Sequence, residues 1–156
     1  MILPHFNSLK SLIESNLNAI KKVDWYNEQY SRYKDLKANA FPIAYIEFPD
    51  KIYWEQSGNN AQKADVEISI HVVMFDLNDS PEGVLAISDD VFKELNRQVL
   101  WNGTEQLSTE LIRSSSELVK SYDQLKIVIV TFRTNIIDTS GEADSTPGTI
   151  NDFVIA

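Results

Sequence analysis

The sequence predicts an α+β fold: a mostly antiparallel sheet with two helices packed on one face, plus an extended C-terminal arm. Three observations carry that expectation. Apolar residues recur at helical spacing from Leu3 to Ile20 and again from Val84 to Val99. Two-residue alternation runs through residues 64–75, the pattern of a strand with one face on a core. Residues 125–137 carry apolar side chains on both faces, as a central strand does. Elements in the order helix, strands, helix, strands pack as one sheet with helices laid across it.

The first helix is expected over residues 2–22. Leu3, Phe6, Leu9, Leu12, Ile13, Leu17 and Ile20 line one face, while Asn7, Lys10, Ser11, Glu14 and Lys21 fall mostly on the other. The adjacent cations Lys21 and Lys22 then sit at the helix end, where the macrodipole favours positive charge. Residues 23–41, with Trp25, Tyr26, Tyr30 and Tyr33, fit neither period and read as a short strand followed by an exposed loop. Pro42 opens a β-type run over residues 43–48 that Pro49 and Asp50 close. A further short strand is expected over residues 51–55, and residues 57–60 are a turn by composition.

Val66, Ile68, Ile70, Val72 and Met74 form the core face of the next strand, with Asp65, Glu67, Ser69, His71 and Val73 on the other. Ser80 is placed to cap the second helix and Pro81 suits its first position. Val84, Ile87, Val91, Leu95 and Val99 stripe that helix, which is expected to end at Trp101-Asn102-Gly103. Residues 111–119 and 125–137 follow as two strands joined around Ser121, Tyr122 and Asp123. The chain therefore divides into an α+β domain over residues 1–138 and a linker with an arm over 139–156. The linker is polar, and residues 149–156 resume apolar character with Ile150, Phe153, Val154 and Ile155. A polar tether ending in an apolar octet is the build of an arm that adds a strand to a neighbour.

At 156 residues the chain is long enough to bury a core without disulfides, and it has no cysteine to form them. Thiolate metal sites and a cysteine nucleophile are excluded with the same observation. No apolar run approaches the ~20 residues that cross a bilayer, so no membrane partner is expected. The net charge is -9 and the pI near 4.6, which opposes a grip on phosphate backbones. An acidic wall can nonetheless surround passing DNA without binding it.

No constellation of catalytic residue types stands out, and no metal or cofactor site is expected. His5 and His71 have no second histidine or cysteine at ligand spacing. The pairs Asp65/Glu67, Asp76/Asp79 and Asp89/Asp90 read as solvated strand, turn and helix charges rather than as a cation site or an acid–base pair. Neither a glycine-rich phosphate loop nor a nucleophile elbow is present. The alternative from another class is a small carboxylate- or metal-dependent enzyme such as a nuclease, built on Asp65 and Glu67. For interaction, Trp25, Tyr26, Tyr30, Tyr33, Tyr53 and Trp54 are candidates, since Trp and Tyr anchor interfaces. Ile150, Phe153, Val154 and Ile155 of the arm join them.

The stretches Trp25-Tyr26-Asn27-Glu28-Gln29-Tyr30 and Ile46-Glu47-Phe48, with Trp54, the 62–76 strand, the second helix and residues 125–138, carry a resemblance. In this arrangement, over about residues 1–138, the chain resembles phage tail-terminator-like and tail completion (head–tail joining) proteins. That resemblance implies an α+β subunit without enzymatic activity, forming a ring homo-oligomer of hexameric or higher order. It implies a place in the virion tail or neck, with assembly in the bacterial host cytoplasm. The implied partners are further copies of the chain, the tail tube protein and head–tail connector or neck proteins, with DNA passing through unbound. A neck adaptor shares this look.

Overall fold

The computed structural model describes residues 2–27, 40–58, 60–75, 81–122 and 124–140. In chain order these form α1 (Leu3–Asn16), β1 (Lys22–Trp25), β2 (Ile43–Glu47), β3 (Glu55–Gln56) and β4 (Gln62–Phe75). There follow α2 (Glu82–Leu95), β5 (Trp101–Asn102), β6 (Glu105–Gln106), β7 (Ile112–Tyr122) and β8 (Leu125–Asp138). The main sheet has the order β1-β2-β4-β8-β7, with β3 hydrogen-bonded to the start of β4. All its pairings are antiparallel except β1 with β2. The α+β architecture is as expected.

The longest pairing joins β4 and β8, running in unbroken register from Gln62 opposite Asp138 to Phe75 opposite Leu125. Alternation then decides the two faces. Val66, Ile68, Ile70 and Val72 of β4 and Val128, Val130, Phe132 and Ile136 of β8 face the helices. Onto them pack Phe6, Leu9 and Ile13 of α1 and Val84, Val91 and Leu95 of α2, all deeply buried. Both helices therefore share one side, which the apolar stripes of the sequence require.

The opposite face departs from the expected solvated one. His71 and Val73, placed on the face away from the core, are both buried. They belong to a second apolar cluster with Phe41, Ile43, Tyr45, Leu125 and Ile127 at one end of the sheet. The other end of that face, with Asp65, Glu67 and Arg133, is exposed as expected. Single-strand periodicity misses this because the burial comes from neighbouring strands, not from β4 itself.

Both helices end before their apolar stripes do. α1 stops at Asn16 rather than 22: the Leu17 N–H still reaches Ile13 O at 2.9 Å, and the Ile20 N–H then turns back to Leu17 O at 3.0 Å. Leu17 and Ile20 remain buried through that turn, so burial continues without helix. The Lys21 N–H bonds Pro42 O, and Lys22 lies in β1 beside Asp24 at 3.6 Å, not at a helix terminus. α2 has Pro81 at its N-cap position, without a side-chain cap, and Ser80 lies outside the described residues.

α2 closes at Leu95 because Arg97 enters the left-handed region at φ 71 and the backbone pairs elsewhere. The Arg97 N–H bonds Leu111 O at 2.6 Å, and the Leu111 and Leu107 N–H groups bond Gln98 O and Leu100 O. Trp101-Asn102-Gly103-Thr104 is thus no helix end. It is the tip of a β5–β6 hairpin, where Gly103 at φ 60 suits the first loop position of a type II′ turn. The strand expected over residues 51–55 shrinks to Glu55–Gln56, while the turn at 57–60 holds, with Gly58 and Asn60 at positive φ.

Phe132 is the largest wholly buried side chain of the sheet and belongs to the core cluster it shares with residues of both helices and β4. Phe132→Ala is expected to cost about 3–5 kcal/mol of stability, read as a lowered urea midpoint with an unchanged slope.

Candidate functional site

The candidate surface was expected around the aromatics that follow the first helix. The structure places them apart. Trp25 ends β1 on the helix side, with its ring 4.9 Å from Phe6 and stacked 5.7 Å from Phe48, leaving 38% of the residue exposed. Tyr26, one residue on, falls on the opposite face, where it stacks on His71 at 4.1 Å and 8°. Adjacent residues in extended chain point to opposite sides, so the two rings do not stack on each other, although both residues border one hollow. Around them lies an open hollow of about 380 Å³ floored by Phe48 and Pro49.

Tyr53 is 74% exposed, with the Lys51 ammonium 5.0 Å from its ring centre. Trp54 is half-buried against the main core. Tyr30, Tyr33, Ile150, Phe153, Val154 and Ile155 lie outside the described residues.

Trp101 and Ile112 are exposed apolar groups that escaped the sequence reading, and Leu3, expected on the core face of the first helix, is 54% exposed. Trp101, 50% exposed, sits on the β5–β6 hairpin beside the serine-rich outer side of α1, with its backbone N–H donating to Ser8 Oγ at 3.1 Å. Asn102-Gly103 was the available signal, since that dipeptide marks hairpins more strongly than helix ends. Ile112, 46% exposed, opens the edge strand β7 on the face opposite the helices.

The acidic pairs are engaged structurally. Asp65 receives a two-pronged contact from Arg133, with Nε at 3.1 Å from one oxygen and Nη2 at 2.5 Å from the other. That guanidinium holds the Asp65 carboxyl below the usual carboxylate range. Asp89 pairs with Lys93 at 3.0 Å, one helical turn on. Asp76 and Asp79 lie outside the described residues. Among the described residues no three His, Cys, Asp or Glu side chains gather as a metal-holding group.

Both histidines are buried and bonded. The His71 Nε2–H donates to Glu47 Oε1 at 2.7 Å; a carboxylate only accepts, which fixes the hydrogen on that nitrogen. The His5 Nε2–H donates to Ile137 O at 2.8 Å, tying the first turn of α1 to the last turn of β8, and its buried Nδ1 has no hydrogen-bond partner. Burial pushes both imidazoles below the ordinary histidine range, against the raising effects of Glu47 and Glu117 at His71 and of the Ile137 carbonyl at His5.

No protein family profile and no curated protein matches the chain by sequence. Solved structures match it by shape. One is a chain in the virion of a native gene transfer agent particle, at a TM-score of 0.60 and 12% identity. The alignment covers 85% of this chain and 96% of that one. What the two share is the fold.

The lowered histidine pKa values set a pH dependence. Above the unperturbed value of 6.5 neither folded nor unfolded chain binds these protons, and their contribution to stability is fully present. Below it the unfolded chain protonates first, so stability drops until the folded pKa is reached. Thermal melts are expected to shift downward between about pH 7 and pH 5. The shift should shrink in His5→Gln and in His71→Gln; an equal shift in both variants would assign it to other groups.

Proposed function

We propose that this chain is a structural subunit of a phage-like virion, acting as a tail terminator or completion protein without enzymatic activity. In this reading copies close into a ring, cap the tail tube and join it to the head or neck. The observation that carries it is the fold, which aligns with 96% of a chain in a gene transfer agent virion. The resemblance of the aromatic stretches to tail-terminator-like proteins supports the same assignment independently.

The surface chemistry fits assembly. Among the described residues the main sheet ends in β1 and β7, and these are the places where a ring subunit meets its neighbours, through a heterologous contact that closes. The net charge of -9 lets a ring surround DNA without holding it. Asp65 and Asp89 are already occupied by Arg133 and Lys93, which speaks for structural rather than acid–base roles. The partners are further copies, the tail tube protein and the head–tail connector or neck proteins, in the virion.

Light scattering on the purified chain is expected to give a mass of about six protomers or more, and negative-stain images a ring. Labelled antibody should mark the tail–head junction of the parent particle, on the tube side for a terminator and on the head side for a neck adaptor. A chain that stays monomeric and cleaves DNA with Mg²⁺ or Mn²⁺, losing that activity in Asp65→Ala, would overturn the proposal.

A further inference from the structure

β7 is an edge strand: among the described residues it pairs with β8 alone. Register shifts near Arg113 and near Val119 interrupt it, leaving residues 115–119 as its regular stretch. Which of these residues offer their backbone outward follows from the ladder. The Tyr26 N–H donates to Ile46 O, so Ile46 turns its polar groups toward β1. Ile46 stands opposite Ile70, Ile70 opposite Val130, and Val130 opposite Ser116. Bonded and non-bonded pairs alternate across antiparallel strands, so Ile70 and Val130 bond each other. Ser116 is then left with both N–H and C=O pointing away from the sheet, and Leu118, two residues on, likewise.

Beneath that edge, between β7 and α2, lies an open hollow of about 360 Å³. Leu85, Leu118 and Val128 line it together with Ser88, Asp89, Ser116 and Glu117, and Leu85 is left 43% exposed. Arg113 closes one end, drawn over the Phe92 ring at 3.7 Å. Outward backbone groups above a hollow with an apolar side at Leu85, Leu118 and Val128 form a strand acceptor with a side-chain pocket. Ser115 and Ser116 add no bulk to block an incoming strand, and Glu117 is the one charged side chain of the 115–119 stretch.

We propose that this acceptor takes residues 149–156 of a second copy of the chain. The octet Thr-Ile-Asn-Asp-Phe-Val-Ile-Ala, if extended, presents Phe153 and Ile155 on one side and Ile150 and Val154 on the other, so either face brings apolar groups to the hollow. Chain length favours a neighbour's octet over the chain's own. From Ser140 back to the level of Thr131, which pairs with Ser115, is about 30 Å along the strand direction. The tether from Ser140 to Thr149 reaches about 30 Å only when pulled taut. Relaxed, such a tether spans roughly 17 Å. Closing on its own edge would stretch the tether fully, whereas an adjacent subunit can set its edge within relaxed reach. The assignment deepens the ring reading, because it names the contact through which copies join.

The absence of cysteine in the natural sequence allows a clean test. Full-length copies carrying Ser116→Cys are mixed with tagged copies carrying Cys at Asn151, Phe153 or Ile155, then oxidised mildly. Disulfides between the two kinds of copy are expected at least ~10-fold faster than with control copies carrying Glu55→Cys, and Ser116→Pro should lower the oligomer mass by removing the outward N–H. Should that variant unfold, an excess of free 148–156 peptide should dissociate the wild-type oligomer while the same peptide with N-methylated amides does not. Cross-linking confined within single chains that carry both cysteines would overturn the exchange between copies. An oligomer without cross-links above control would refute the arm and leave the ring reading standing; a full-length chain that is monomeric would refute the ring.

Discussion

The β4–β8 pairing is the constraint on which the remainder depends. Each strand spans 14 residues, and their register is continuous from end to end. A slip of one residue would turn Val66, Ile68, Ile70 and Val72 away from the helices and carry Asp65 and Glu67 into the core. Two helices of ordinary length can cover such a ladder, and α1 and α2 do so side by side. β2 and β7 then add at the flanks, and every later surface inherits its direction from the same alternation.

That inheritance separates holding the fold together from presenting a surface. The helix side carries the main core, with Leu3, Leu85 and Trp25 exposed at its margins. The opposite side is divided along its length, apolar around Val73 and Ile127 and charged around Asp65 and Arg133. His71 stands where the two zones meet, bonded to Glu47 and stacked on Tyr26. Among the described residues, the end strands of the main sheet and Trp101 on the β5–β6 hairpin are presented to solvent.

Much of the fold was legible from residue pattern, and the errors in the helix bounds share one cause. The stripes of α1 and α2 predicted both helices, but each stripe continued past the helix it belonged to. Leu17 and Ile20 are buried through a turn, and Leu100 through backbone pairing with Leu107. Periodicity reports burial, and burial persists where the chain leaves a helix to pair elsewhere. The candidate surface was less legible. Trp25 and Tyr26 looked like one cluster because they are adjacent, and extended backbone sends them to opposite sides. Trp101 was hidden inside an apparent helix end.

By itself, the order of residues determined the fold class, the long central strands, the absence of thiol chemistry and an acidic exterior. These are properties of composition and of periods that each segment carries alone. Only the tertiary structure decided which strand became an edge, which histidines lost contact with water and which backbone groups turned outward. Those outcomes depend on pairings between residues far apart in the chain, such as Ile70 with Val130 and Val130 with Ser116, and no local period encodes them.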